Sequence, residues 1–178
     1  MDFPNLPYLV VQTGDGPKLQ FSETQAIHQY FAAKFAPALL GDSPEETAKL
    51  HEMWGIPEEV KNKSLLTCYG SGATKETVLS ACTPGFEKLC SYVEKKLALS
   101  GSSFLMGENI KWVDFFFLEL LERFNWLLEN QHGEKYPPLQ KYRLQMAALP
   151  GVQAQLAKEL PHTFNASIAP VNGKGFPI

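Results

Sequence analysis

The sequence predicts a mainly α chain, in which an all-helical domain follows a β-hairpin and one helix. Three observations carry this. Strand signals are confined to the first 36 residues, a proline-bounded stretch follows, and apolar residues recur at helical spacing from Ser43 onward. The 178 residues suffice for one domain or two small ones, and 44% hydrophobic with 20% charged residues is ordinary globular composition.

Tyr8-Leu9-Val10-Val11-Gln12 is a short β-prone run. Thr13-Gly14-Asp15-Gly16-Pro17 brings turn chemistry at almost every position, and Lys18-Leu19-Gln20-Phe21 returns as a second strand. Ser22 or Glu23 then opens a helix whose Ile27, Tyr30, Phe31 and Phe35 share one face. Ala36 to Pro44 reads as a linker with a proline near either end. Ser43, Pro44 and Glu46 supply an N-cap, a first-turn proline and a third-position carboxylate for the next helix. Pro57 is expected to interrupt that helix, with Gly55 weakening it further. Thr67 to Thr74 reads as a loop. A helix from about Lys75 to Leu99 carries the stripe Phe86, Leu89, Cys90, Val93 and Leu97, and Ser100-Gly101-Ser102-Ser103 ends it. Lys111 to about Glu129 is apolar nearly all round and so belongs at the centre of a bundle. Pro137-Pro138 opens a helix that stops at Pro150, a short one follows to about Leu160, and Pro161 to Ile178 reads as an extended tail. The expected boundaries are 1–36, a linker at 37–43, a helical domain at 44–165 and a tail at 166–178.

The net charge of −3 gives no electrostatic case for nucleic acid or an anionic membrane surface. No stretch approaches the ~20 apolar residues of a membrane span. Met1 to Asn5 lacks the basic and apolar regions of a signal peptide, so a soluble, cytoplasmic protein is expected. Cys68, Cys82 and Cys90 have no metal-ligand spacing and read as buried thiols. His28, His51, His132 and His162 are scattered, and no metal site is expected. Asn62-Lys63-Ser64 and Asn165-Ala166-Ser167 match the glycosylation pattern, which carries no meaning without secretion.

Five local patterns, in order, make the chain resemble a cytosolic glutathione S-transferase of mu, sigma, alpha or pi type. Asn5-Leu6-Pro7 resembles the step before the third strand of the family's thioredoxin-like domain, and Glu23-Thr24-Gln25-Ala26-Ile27 resembles the helix start that follows its hairpin. Phe104-Leu105-Met106-Gly107-Glu108 with Asp114-Phe115 resembles the entry to the central helix. Tyr136-Pro137-Pro138-Leu139 and Ala148-Leu149-Pro150-Gly151-Val152 resemble two later markers. The resemblance implies an all-helical C-terminal domain preceded by a partial thioredoxin-like domain, with glutathione as substrate and an electrophilic small molecule as co-substrate. It also implies a homodimer or a partner protein.

Residue by residue, the resemblance makes Leu6 the backbone contact for the cysteinyl part of glutathione, with Pro7 in the cis form. Asn5 stands where the family directs a glutamine toward the peptide backbone. Thr24 would take the γ-glutamyl carboxylate at a helix N-terminus and Glu23 its ammonium. The central helix departs from the family's box: Lys111 occupies the cap, and lysine offers no acceptor. Asp114 keeps its place three residues on, and Ile110 and Phe115 can form a hydrophobic staple. Gly55 falls near an aspartate that reaches the neighbouring subunit in the family, with Glu58 and Glu59 close but shifted. The family's catalytic tyrosine, serine or cysteine belongs to a βαβ unit of about 30 or more residues ahead of Pro7. Six residues precede Pro7, so no catalytic residue is assigned; Tyr8 is not read as a substitute. Two functions follow from this reading: conjugation of glutathione to electrophiles, or a non-catalytic structural or scaffold subunit of a larger assembly.

Overall fold

The computed structural model describes residues 5–70, 73–127 and 135–158; at Leu65, Lys75, Trp126 and Leu127 it describes the backbone alone. The chain forms two compact units, residues 1–48 and 49–178, each with its own packing.

In the first unit β1 (Tyr8–Val11) and β2 (Leu19–Ser22) pair antiparallel, with Tyr8 opposite Ser22 and Val11 opposite Leu19. Gly14 takes a φ of 56° in the connecting turn, a conformation that costs glycine little. Helix α1 (Thr24–Phe35) packs on both strands, and Tyr30 meets Phe21 edge-on at 5.0 Å between ring centres. The apolar face expected on α1 divides. Ile27 and Tyr30 are half-buried, whereas Phe31 and Phe35 are exposed and stack on each other at 6.0 Å. A sheet of two four-residue strands is too small to cover the whole face. A 3₁₀ turn at Pro37–Leu39 lies within the proline-bounded stretch and rests on α1. The unit then runs into the first residues of α2 (Pro44–Cys68), where the Ser43 hydroxyl accepts from the Glu46 N–H at 3.1 Å. The Glu46 carboxylate in turn accepts from the Asp42 N–H.

The second unit holds the rest of α2, then α3 (Lys75–Ser100), α4 (Trp112–Leu127), α5 (Pro137–Ala147) and α6 (Pro150–Leu156). The interruption expected at Pro57 does not occur: α2 continues through it to Cys68. Loss of the proline N–H and the ring clash cost about 3 kcal/mol in a helix interior. The offsetting term is burial. Leu50, Met53, Trp54 and Pro57 repeat at helical spacing and are all buried. Trp54 lies 3.9 Å from Phe116 and 5.3 Å from Trp112, both on α4. Helix α3 begins in a reciprocal Thr74–Thr77 capping box. It ends at Gly101, whose φ of 63° lets its N–H return to the Leu97 carbonyl at 3.0 Å. Its stripe Phe86, Leu89, Cys90, Val93 and Leu97 is buried, and Phe86 stacks on Phe124 of α4 at 4.2 Å.

Helix α4 is the centre of this unit. Asp114, in its first turn and fully buried, accepts through Oδ1 from the Leu105 N–H at 3.0 Å and through Oδ2 from the Lys111 N–H at 2.8 Å. Its own carbonyl accepts from the Tyr142 hydroxyl of α5 at 3.1 Å. Lys111, immediately before α4, is itself buried at 2% exposure, so its aliphatic stem fills space that a short capping side chain would leave open. At α5, Pro137 and Pro138 occupy two positions whose N–H groups would lack helical partners, and the next donor, Leu139 N–H, is taken by Glu94 Oε2 of α3 at 2.7 Å. The expected tail at 166–178, the expected helix end at Leu160, Glu129 and the Asn165 pattern lie outside the described residues.

Two outcomes test this packing. Burial pushes the Asp114 carboxyl up to about 6, against the downward pull of its two backbone hydrogen bonds. The folded state therefore holds a proton that the unfolded chain releases near pH 4, and stability falls as pH rises through this window. Urea unfolding between about pH 4 and about pH 7 is expected to show the wild type losing stability relative to Asp114→Asn. A gap that stays flat or moves the other way contradicts the burial described. Separately, Glu94→Ala is expected to cost about 1–2 kcal/mol by stranding the Leu139 N–H. A loss below about 0.5 kcal/mol in the same measurement would remove Glu94 as the cap of α5.

Candidate functional site

The register of the hairpin places the residues before β1 beside those after β2. Tyr8 pairs with Ser22, so Asn5, Leu6 and Pro7 come alongside Glu23 and Thr24 at the end of the sheet where α1 begins. The Asn5 amide nitrogen donates to Glu23 Oε1 at 2.7 Å. Its oxygen accepts from the Leu6 N–H at 2.9 Å. The Leu6–Pro7 peptide is cis, as the resemblance implies. Leu6 is 78% exposed.

Glu23 has φ 77° and ψ 125°, and among the described residues it is the non-glycine with positive φ. Such a conformation costs on the order of 1–3 kcal/mol and persists where surrounding structure holds it. The Glu23 carbonyl still accepts from the Ile27 N–H at 3.1 Å, so the helix starts correctly behind the strained residue. The Glu23 side chain makes no capping hydrogen bond to α1, and the first turn of the helix carries no acidic residue. The positive end of the helix dipole therefore meets Thr24 and the surface formed by Leu6 and Glu23. An anionic group is the chemistry this helix end accepts, and the Glu23 carboxylate offers a partner for a cation beside it.

The structure thus brings all five sequence-assigned residues to one rim. It gives Asn5 a role the sequence did not reveal, since its amide joins Glu23 to Leu6. Lys111 and Asp114 belong to the second unit and serve the start of α4. Gly55 is exposed, and the nearby glutamates have partners on their own helix: Glu58 pairs with Lys61, and Glu59 with Lys63 at 2.7 Å.

The three thiols offer no nucleophile. Burial raises Cys68 to about 11 and Cys82 and Cys90 to about 12, so all are protonated at neutral pH. Among the described residues no three His, Cys, Asp or Glu side chains converge as a metal site, and no helix is long and apolar enough to cross a membrane.

Residues 59–159 match the family model described as the glutathione S-transferase C-terminal domain. A glutathione S-transferase of Tyrophagus putrescentiae is 29% identical over 177 residues, covering 98% of this chain and 74% of the relative. A class-mu 26 kDa glutathione S-transferase of Fasciola hepatica is 26% identical over 168 residues, covering 89% of this chain and 67% of its own length. The fold is shared with the crystal structure of the glutathione S-transferase Blo t 8, at TM-score 0.72 and 21% identity over 88% of this chain and 69% of that one. It is shared also with a Pi-class enzyme of Onchocerca volvulus, at TM-score 0.67 and 24% identity over 89% and 73%. With more than half its length matched by the family model, the chain belongs to the glutathione S-transferase family.

Proposed function

We propose that the rim formed by Asn5, Leu6, Pro7, Glu23 and Thr24 binds glutathione, and that the reaction served is conjugation of the glutathione sulfur to an electrophilic small molecule. The observation that carries this reading is the strained Glu23, anchored by Asn5 at the start of α1. Thr24 offers a hydroxyl and a helix-end N–H to the γ-glutamyl carboxylate. The Glu23 carboxylate receives the ammonium of the same group, and the Leu6 backbone pairs with the cysteinyl part in the manner of an added strand. Asn5 fixes Glu23 beside this site.

The sulfur that attacks is the substrate's, since the chain's own thiols are buried and protonated. A thiol near pKa 8.5 is mostly protonated at neutral pH, so conjugation also requires a donor that favours the thiolate. The family places that donor ahead of the segment corresponding to Pro7, and none of the five rim residues fills the role.

A second reading, a non-catalytic subunit that joins a second copy or a partner protein, is favoured by the exposed Phe31 and Phe35 on α1 and by the exposed Leu6, Tyr8 and Val10. Turnover of a generic aryl halide with glutathione, lost in Thr24→Ala, identifies the enzyme. Saturable glutathione binding without turnover identifies the non-catalytic member.

Isothermal titration with glutathione tests the site itself. Thr24→Ala is expected to weaken binding about tenfold, the equivalent of roughly 1.4 kcal/mol. Unchanged affinity in this variant, or no binding by the wild type, overturns the proposal. Glu23→Gly is expected to raise folding stability by about 1 kcal/mol, because glycine adopts the positive φ without strain, while weakening glutathione binding. A stability loss on thermal unfolding would show that the Glu23 side chain supports the fold rather than a ligand.

A further inference from the structure

At the junction of α2, α3 and the turn before α4, a half-buried ammonium is placed between two thioethers. Lys96 Nζ lies 3.5 Å from Met53 Sδ and 3.7 Å from Met106 Sδ. Among the described residues these sulfurs are its hydrogen-bond acceptors, and thioether sulfur is a weak one. Burial pulls the Lys96 pKa down, Lys49 adds to that, and Glu52 and Asp114 oppose it. Met53 is 6% exposed, whereas Met106 is half-buried in a tight turn closed by the Phe104–Gly107 bridge. Of the two sulfurs, Met106 is the one that a small oxidant reaches.

We propose that Met106 is a modification site, oxidised to the sulfoxide by small hydroperoxides with Lys96 as the proton shuttle. The sulfur lone pair attacks the terminal peroxide oxygen, an S–O bond forms and the O–O bond breaks. The departing alkoxide, or hydroxide from hydrogen peroxide, takes a proton from the Lys96 ammonium. The hydroxysulfonium then returns its proton to the Lys96 amine, leaving the sulfoxide and an alcohol or water. Sulfur is oxidised by two electrons, the peroxide is reduced by two, and Lys96 ends as it began. The depressed lysine pKa makes its proton easier to give, and the new S=O oxygen is a far stronger acceptor for the restored ammonium than the thioether was. Methionine sulfoxide ordinarily disrupts the packing it is born into. Here the added oxygen forms beside an ammonium whose hydrogen-bond acceptors, among the described residues, are the two thioethers. This proposal is independent of the glutathione site.

The test treats the full chain with hydrogen peroxide in the presence of N-acetylmethionine and follows each methionine by peptide mass spectrometry. Met106 is expected to oxidise about tenfold faster than N-acetylmethionine, the ~10²-fold of general acid catalysis being offset about tenfold by partial burial of the sulfur. Lys96→Leu is expected to bring it to or below the reference rate. Met146, which is fully buried, reports any unfolding in the variant. A wild-type Met106 slower than N-acetylmethionine overturns the proposal whether or not the variant folds. A Lys96→Leu rate that is unchanged or faster also overturns it, because a merely shielding lysine would expose the sulfur when removed.

Discussion

The buried Asp114 carboxylate is the interaction on which the helical unit depends. It closes the start of α4 through the Lys111 N–H and fixes the preceding turn through the Leu105 N–H. The Tyr142 hydroxyl brings α5 to the same residue. Hydrogen bonds to a charged group contribute about 1.5–3 kcal/mol each, and they work here against a desolvation cost large enough to raise the carboxyl to about 6. With α4 so fixed, its aromatic face meets each neighbour at a set place: Phe116 against Trp54 of α2, Phe124 against Phe86 of α3, and Phe117 near Tyr142 of α5. The proline inside α2 is tolerated because this packing holds both sides of it.

The first unit is built on a different balance. Its sheet has two short strands, and several large apolar side chains stay exposed, so little burial is available to organise it. Order at its rim comes from local polar contacts. Asn5 binds Glu23 and Leu6, and Glu23 absorbs backbone strain where the strand hands over to α1. A strained residue at a helix start is the arrangement expected where ligand contacts are kept at a cost in stability. Lys96 shows a similar imbalance in the second unit, since among the described residues its hydrogen-bond acceptors are two thioethers.

Features set by neighbours in the chain were legible in the sequence. Ser43, Pro44 and Glu46 announced a helix start, Gly101 a helix end, and the stripe from Phe86 to Leu97 a buried face, because each signal is complete within one or two turns. The hairpin was readable from the alternation of β-prone and turn residues, and the rim residues from their resemblance to the family. What escaped was set by distant partners. Pro57 reads as a break until Trp54 is seen against Phe116. Lys111 reads as a poor cap until its stem is seen buried. The Asn5–Glu23 bond spans 18 residues, and the Lys96 contact with Met53 spans 43. Phe31 and Phe35 carry the period of a buried face, yet periodicity does not reveal how little sheet there is to cover them.

The central functional claim is that glutathione occupies the rim at the start of α1. Backbone amide resonances followed during a glutathione titration test it most directly. The account predicts saturable shifts at Leu6, Glu23 and Thr24, while Leu105 and Lys111, whose N–H groups are closed by Asp114, stay fixed. Absence of shifts at the three rim residues at millimolar glutathione, or shifts confined to the helical unit, would contradict it.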